Sequence, residues 1–361
     1  MGTKLSKVPT TEKELNELLQ DIYLTAKNKY ELRQECNFTG ILEVIASEPN
    51  IVSAVHKIKS NKGSRTPGVD EKVIDDCLHL PYDELLEMVR GKLKNYQPDK
   101  VRRVWIPKPG KSEKRPLGIP TISDRIVQEC VRHVIEPIAE AQFFEHSYGF
   151  RPMRSADMAV ARIKRINWTA KCYWVVEGDI KGFFDNVDHE WLMKMLRHDI
   201  ADKRFLELVE KFLKAGIMEN GKYLDSERGT PQGNGASPIL ANIYLHYVLD
   251  NWFEVIVKRQ CSGECYLIRY ADDFVCCFQN EYEAKVFREK LEERFAKYGL
   301  ELAEEKTKIL EFGRFARQNR ERRGERKPDT FDFLGFTFYC GMDGKKQFFR
   351  CRVKTSKKKL R

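Results

Sequence analysis

Three carboxylates frame the chemistry open to this chain. Asp272 and Asp273 stand side by side in LIRYADDFVCCF, with apolar, strand-like residues on both sides. Asp179 sits near the end of the apolar run CYWVVEGDI. Adjacent like charges repel, and apolar flanks tend to bury them, so a doubled acid here calls for a counter-charge. A hairpin tip would put Asp272 and Asp273 at a sheet rim, where water and ligands reach. Alternation sends their side chains to opposite faces unless the turn rotates them. If the strand bearing Asp179 is a neighbour in the same sheet, Asp179 and Asp272 meet at one edge. Grouped carboxylates raise one another's pKa unless a cation compensates. Mg2+ suits such a set, because it takes a few carboxylates plus waters and substrate phosphates. Two such ions about 3.5–4 Å apart stabilise both oxygens of an in-line phosphoryl displacement. A lone DD at a turn, by contrast, is ordinarily turn chemistry or a cap.

The surrounding pattern supplies the elements that would hold these acids. CYWVVEGDI reads as a central strand, followed by helices near 188–199 and 202–215. SPILANIYLHYVLDNWFEVIV reads as a long helix with Ser237 as N-cap and Pro238 in its first turn. CYLIRY and FVCCF form the hairpin, and EYEAKVFREKLEERFAKYGL an amphipathic helix. RQNRERRGERKPD reads as a charged surface loop, and FDFLGFTFYCGMDGKKQFFRCRV as one strand pair about an Asp343-Gly344 turn. Upstream, helices are expected at 12–35 and near 50–60. NKGSRTPGVD is an ordered loop, VRRVWIPKPG a strand entering a turn, and DRIVQECVRHVIEPI an amphipathic helix ended at Pro137. The expected class is α+β, an antiparallel sheet backed by helices.

A chain of 361 residues suits two or three subdomains, and the 42% hydrophobic content is enough for a sizeable core. No apolar run of about 18 residues occurs, so no membrane-spanning helix is expected. The N-terminus lacks a secretory h-region, although MGTKLS fits the short myristoylation pattern. The ten cysteines form no paired ligand sets and read as reduced thiols of an intracellular protein. The net charge of +10 is unevenly placed. Residues 313–361 hold 16 Lys and Arg against 5 Asp and Glu, a balance of +11, while the rest holds 48 against 49. Such a basic stretch suits phosphate contacts, or is simply a solvated tail.

Set in order along the chain, these stretches resemble the sequence blocks of reverse transcriptases, and most closely those of bacterial group II intron-encoded proteins, the maturases. RYADDFV resembles the Y-x-D-D box, as Tyr270-Ala271-Asp272-Asp273. VWIPKPGKSEKRPLGIPTISDRIVQ, FFEHSYGFRPMRSADMAV, GDIKGFFDNVDH and RGTPQGNGASPILANIYLH resemble the first four blocks. LAEEKTKIL and FDFLGFTF resemble the sixth and seventh, and NKGSRTPGVD an additional N-terminal block. The likeness runs from about residue 50 to 353. Ser237-Pro238 favours the intron lineage over diversity-generating relatives. The NGA of QGNGASP departs from the usual Gly-Gly start and reads as a subfamily difference.

The resemblance implies a right-hand polymerase with fingers and palm. Its expected divisions are an N-terminal helical extension over 1–60, fingers over 61–170, palm over 171–353, and a link toward a thumb over 354–361. It implies RNA-directed DNA synthesis with two Mg2+ ions, for which Mn2+ could substitute, an RNA template, a DNA primer and dNTPs. Asp179 and Asp272 would bridge the metals, with Asp273 accessory and the Ile180 carbonyl an extra ligand. Phe184 would lie beneath the incoming sugar and exclude a 2′-hydroxyl. Lys108 and Arg115 would grip the triphosphate, approached also by Lys306 or Lys308. Gln232 would touch the nucleotide or template base, and Gly233 would admit close backbone approach. Leu334 and Gly335 would support the primer end. Asp188 reads as a helix cap and His189 as structural.

The same resemblance implies binding of group II intron RNA during splicing, a cytoplasmic ribonucleoprotein setting without a membrane, and room for an oligomer through the fingers. The chain stops soon after the seventh block, where intron proteins continue into a thumb, so low processivity is expected. Two other readings stay open: an RNA-binding splicing cofactor alone, and a defence- or CRISPR-linked reverse transcriptase.

Overall fold

The computed structural model describes residues 2–107, 114–219, 222–224, 228–230, 235–325, 327–344 and 348–357. Lys108, Gln232 and Gly233 lie outside the described residues. Arg115 is described only as backbone, within the strand Lys114–Ile119. The chain forms two units that interleave in sequence. One is drawn from Met1–Pro107, Glu113–Phe143 and Phe184–Tyr244, the other chiefly from Phe144–Phe183 and Leu245–Arg361.

The first unit is mostly helical and is organised around the helix Ile122–Glu140. Its Ile126, Val127, Cys130, Val131, Val134 and Ile135 are buried, as the 3.6-residue period requires. Thr121 caps it, accepting from the Asp124 amide. Pro137 does not end it: the helix runs on to Glu140, because a proline this near the C-terminus removes only one backbone bond. The helices Glu12–Glu31, Glu48–Ser60 and Tyr82–Lys94 pack on it, so residues 1–60 belong to the same unit as residues 61–107. Buried Asn50 ties two of these helices together, donating to the Ile45 and Cys130 carbonyls at 2.9 and 3.1 Å. The 61–70 loop is ordered, as its composition suggests. Arg125 donates to the Gly63 and Thr66 carbonyls within it, at 3.0 and 2.6 Å.

The second unit holds the sheet that carries the acids. Its strands are β1 (Trp174–Gly178), β2 (Cys265–Tyr270), β3 (Asp273–Phe278) and β4 (Lys308–Glu311). They lie in the order β4-β1-β3-β2, every pair antiparallel. Both faces are covered. On one, Val175, Ile268, Val275 and Cys277 pack with helix α1 (Ala156–Thr169) and with a second sheet. On the other, Phe274 and Phe278 meet Phe295 and Phe287 of helix α2 (Glu281–Lys297), ring centroids 6.2 and 5.1 Å apart.

The second sheet differs from the single strand pair expected. It has three antiparallel strands, β5 (Thr330–Phe333), β6 (Phe336–Met342) and β7 (Phe349–Thr355). The extra turn is Leu334-Gly335, closed by the Phe333–Phe336 pair, with φ of 52° and 79°. Two positive φ values mark a type I′ hairpin, which glycine accepts freely and leucine does not. The charged stretch before this sheet is not all loop: Ala316–Arg322 is helical. The long helix already includes Ser237, expected to precede it as the cap, and beyond Leu245 it widens into π-helical turns at His246–Asp250 and Phe253–Val257.

Candidate active site

The β2–β3 hairpin closes on the Tyr270–Asp273 pair, leaving Ala271 and Asp272 as its two turn residues. Ala271 takes a left-handed φ of 56°. For a residue with a Cβ that costs about 1 kcal/mol, so the surroundings must hold the turn. Two contacts do so. Gly149 lies against it so closely that a Cβ there would sit 2.4 Å from the Ala271 nitrogen. Arg269, fully buried in β2, donates to the Ala271 carbonyl at 2.9 Å. The same guanidinium grips Asp250, also fully buried, through two bonds of 2.7 and 2.5 Å. Asp250 comes from the first π-helical turn.

Asp179 follows directly on β1. The last pair between β1 and β3 is Gly178–Phe274, so the next step of the register sets Asp179 across from Asp273. Gly178 is required there, because a Cβ would lie 2.2 Å from the Phe274 ring. Past the strand, the Asp179 carbonyl accepts from the Ala303 amide and the Lys181 amide donates to the Glu301 carbonyl, both at 2.9 Å. Ile180 lies opposite Leu302 in this pairing, and its side chain is buried.

Charge explains the rest of the site. Burial pushes the Asp272 carboxyl up, Asp179 adds to this, and Lys306 and Arg269 oppose it. Asp273 is open to solvent at the rim, yet loss of water around it, together with the charges of Asp272 and Asp179, lifts it to about 7. Lys306 places its ammonium on the Asp179 carboxylate, and that contact raises the lysine's own pKa. The candidate acids therefore gather at one sheet end with a cation already among them. Among the described residues, no three ligand-type side chains converge into a preformed metal set. The donor chemistry still fits a divalent ion, since two of the acids hold negative charge unfavourably.

Of the two lysines considered, Lys306 reaches the acids, whereas Lys308 lies exposed in β4, paired in register with Glu177. Phe184 belongs to the first unit, in the short helix Phe183–Asn186, half-buried, its carbonyl accepting from Thr230 at 2.7 Å. Asp188 caps the helix His189–Asp199, accepting from Trp191 at 3.0 Å. His189 donates to the Gly229 carbonyl at 2.7 Å, a structural contact as expected. Leu334 and Gly335 form the β5–β6 turn, and the Gly335 carbonyl accepts from Ser356 at 3.0 Å.

Sequence reasoning missed Arg269, Asp250 and Gly149. The signal was available: Arg269 is a charge inside an apolar strand, and Asp250 one inside an apolar helix. Buried charges of that kind come in pairs.

The fold is of the polymerase type, built of helices and sheets. A telomerase from Candida tropicalis, in its apo form and truncated from its C-terminal domain, is similar with a TM-score of 0.51. That likeness covers 72% of this chain and 56% of the telomerase at 15% identity, and so speaks to fold alone. Residues 106–338 match the family "Reverse transcriptase (RNA-dependent DNA polymerase)", and the chain belongs to that family. Among curated relatives, the group II intron-encoded protein LtrA of Lactococcus lactis subsp. cremoris is 36% identical over 306 residues, 81% of this chain and 49% of LtrA. Protein YkfC of Escherichia coli is 38% identical over 230 residues, 62% of this chain and 58% of YkfC. The nuclear intron maturase 1, mitochondrial, of Arabidopsis thaliana is 33% identical over 116 residues, 32% of this chain and 16% of that protein. The chain spans about half the length of the first of these relatives. Among the described residues, no helix is long and apolar enough to cross a membrane.

Proposed function

We propose that the chain is an RNA-directed DNA polymerase of the group II intron kind, with fingers within residues 61–170 and palm within 171–353. One observation carries this reading: in a member of the reverse transcriptase family, Asp179, Asp272 and Asp273 collect at one end of a helix-backed antiparallel sheet. Asp179 and Asp272 would hold Mg2+, with Asp273 and the Ile180 carbonyl as accessory donors. When bound, two such ions lower the barrier to in-line displacement by stabilising the attacking and leaving oxygens. The chain's own residues do the positioning. Gly178 and the Arg269-braced turn fix the spacing of the acids. Lys306 holds positive charge beside the site and can turn to an incoming triphosphate, the electrostatic role that Lys108 and Arg115 would share. Phe184 would set the preference for deoxyribose. Gln232 and Gly233 would face the nucleotide or template, and Leu334-Gly335 the primer end.

The partners in this reading are an RNA template, a DNA primer, dNTPs and group II intron RNA, the last supported by the names of LtrA and the Arabidopsis maturase. The test is primer extension on an RNA template with wild type and Asp272→Ala. Loss of metal-supported catalysis is worth several kcal/mol, so extension should fall by about a thousandfold or more. Equal extension by the two proteins would falsify the catalytic assignment. Retained binding of intron RNA by Asp272→Ala, above that of random RNA, would support the splicing role separately.

A further inference from the structure

The second unit carries an aromatic and basic surface far from the acids. Trp168, in the last turn of α1, is 49% exposed, and Phe315 and Phe348 are 44% and 64% exposed. Large aromatics exposed together mark an interaction site more often than a defect. Two grooves, of about 770 and 560 Å³, share Trp168 as a common wall. Their lining is strongly basic: Lys164, Arg165, Arg350 and Arg352 in the larger, Arg314 and Arg317 in the smaller. Two acids oppose them, Asp343 and Glu321, and Glu321 is already paired with Arg317 at 2.9 Å. The Arg350 guanidinium lies over the Trp168 ring, 3.9 Å from its centroid.

Position separates this surface from the candidate active site. Phe315 packs on Tyr173, centroids 5.1 Å apart, and Tyr173 immediately precedes β1. Asp179 lies just past the other end of β1. Six residues of extended chain at about 3.3 Å each span roughly 20 Å. A strand held at the acids would have to run the length of the sheet to reach Trp168.

We propose that these grooves bind unpaired nucleic acid, with bases stacked on Trp168, Phe315 and Phe348 and phosphates held by Lys164, Arg314 and Arg350. The chemistry is that of non-sequence-specific single-strand binding: aromatic faces for any base and cations along the backbone. This deepens the polymerase reading, since it gives the enzyme a second hold on RNA outside the site of synthesis.

The test uses the full chain with fluorescein-labelled oligouridylate and its deoxy counterpart, followed by anisotropy. Trp168→Ala and Arg350→Glu should each weaken binding about tenfold, and Arg350→Glu should also flatten the salt dependence. Phe348→Ser, at a highly exposed position, guards against misfolding of the other two and should weaken binding in the same direction. Photocrosslinks from 4-thiouridine should map to peptides carrying Trp168, Phe315 or Phe348 and vanish in Trp168→Ala. Weaker deoxy binding assigns the grooves to RNA, and equal binding to any single strand; both support the proposal. Wild-type affinity in all three variants overturns it and leaves the surface to an acidic protein. Primer extension on a short template should be unchanged in the variants, and its loss would overturn the separation from the active site. If wild type itself fails to extend, the polymerase reading fails while the grooves are judged on binding alone.

Discussion

The pair Arg269–Asp250 offers the sharpest test of how the hairpin is held. Both side chains are fully buried and joined by two short bonds. In Asp250→Ala the guanidinium keeps its charge, keeps its bond to Ala271, and loses its counter-ion. Removing one partner of a buried pair costs about 3–5 kcal/mol. Against a total stability of about 5–15 kcal/mol the protein should still fold, with little margin. With a urea slope of about 3 kcal/mol per molar, the midpoint should fall by roughly 1–1.7 M, read by circular dichroism. A second variant separates stability from positioning. Arg269→Met with Asp250→Leu replaces the pair by apolar groups of similar size, which is often neutral or stabilising. It nonetheless leaves the left-handed Ala271 without its donor. The double variant should therefore recover the urea midpoint and still extend primers poorly. An unchanged midpoint in Asp250→Ala would refute the energetic argument. Full extension by the double variant would refute the bracing role.

Two further outcomes concern the same site. Asp273 is raised from 3.8 to about 7, so its charged form disfavours the folded, metal-free chain. The cost of this one group is then absent below about pH 4 and grows as pH rises toward 7. Asp273→Asn should match wild type near pH 4 and exceed it above pH 7 by about 1 kcal/mol, a figure discounted because the carboxylate is exposed. Thermal melts across that range check it: a pH-independent difference would contradict it, and added Mg2+ should favour wild type. Gly178→Ala would drive a methyl into the buried Phe274 ring, 2.2 Å away. Overpacking of this kind costs about 1–3 kcal/mol and should shift Asp179 enough to reduce extension; a wild-type melting temperature would count against the close packing.

The acids were legible because their signals are local. Period-two alternation put Asp272 and Asp273 at a hairpin tip and Asp179 near a strand end, and the described structure has both. What alternation cannot give is register between strands about 95 residues apart in sequence, an interval on the order of what loop-closure reasoning treats as long. The register ends at Gly178–Phe274, and its next step sets Asp179 across from Asp273, at the same sheet edge as Asp272. Arg269 and Asp250 escaped for a similar reason: each looked like an isolated oddity until a helix was packed on a strand. The Leu334-Gly335 turn was missed because its first residue is leucine, which seldom adopts a left-handed φ. The choice between Lys306 and Lys308 needed the 3-10 turn Glu304–Lys306, which brings the first toward Asp179 while the second continues into β4.

The sheet order has a consequence for synthesis. β1 ends at Gly178, but its partners arrive only with Asp273–Phe278 and Lys308–Glu311. At about 5–20 residues per second, a nascent β1 waits on the order of ten seconds with both edges unpaired. The residues of the first unit all precede Leu245, so its chain is complete before the hairpin is made. During that interval an apolar strand, Trp174-Val175-Val176, is offered to any other nascent copy on the same message. The yield of folded chain in a cell should therefore respond to chaperone supply and to translation speed between codons 179 and 311.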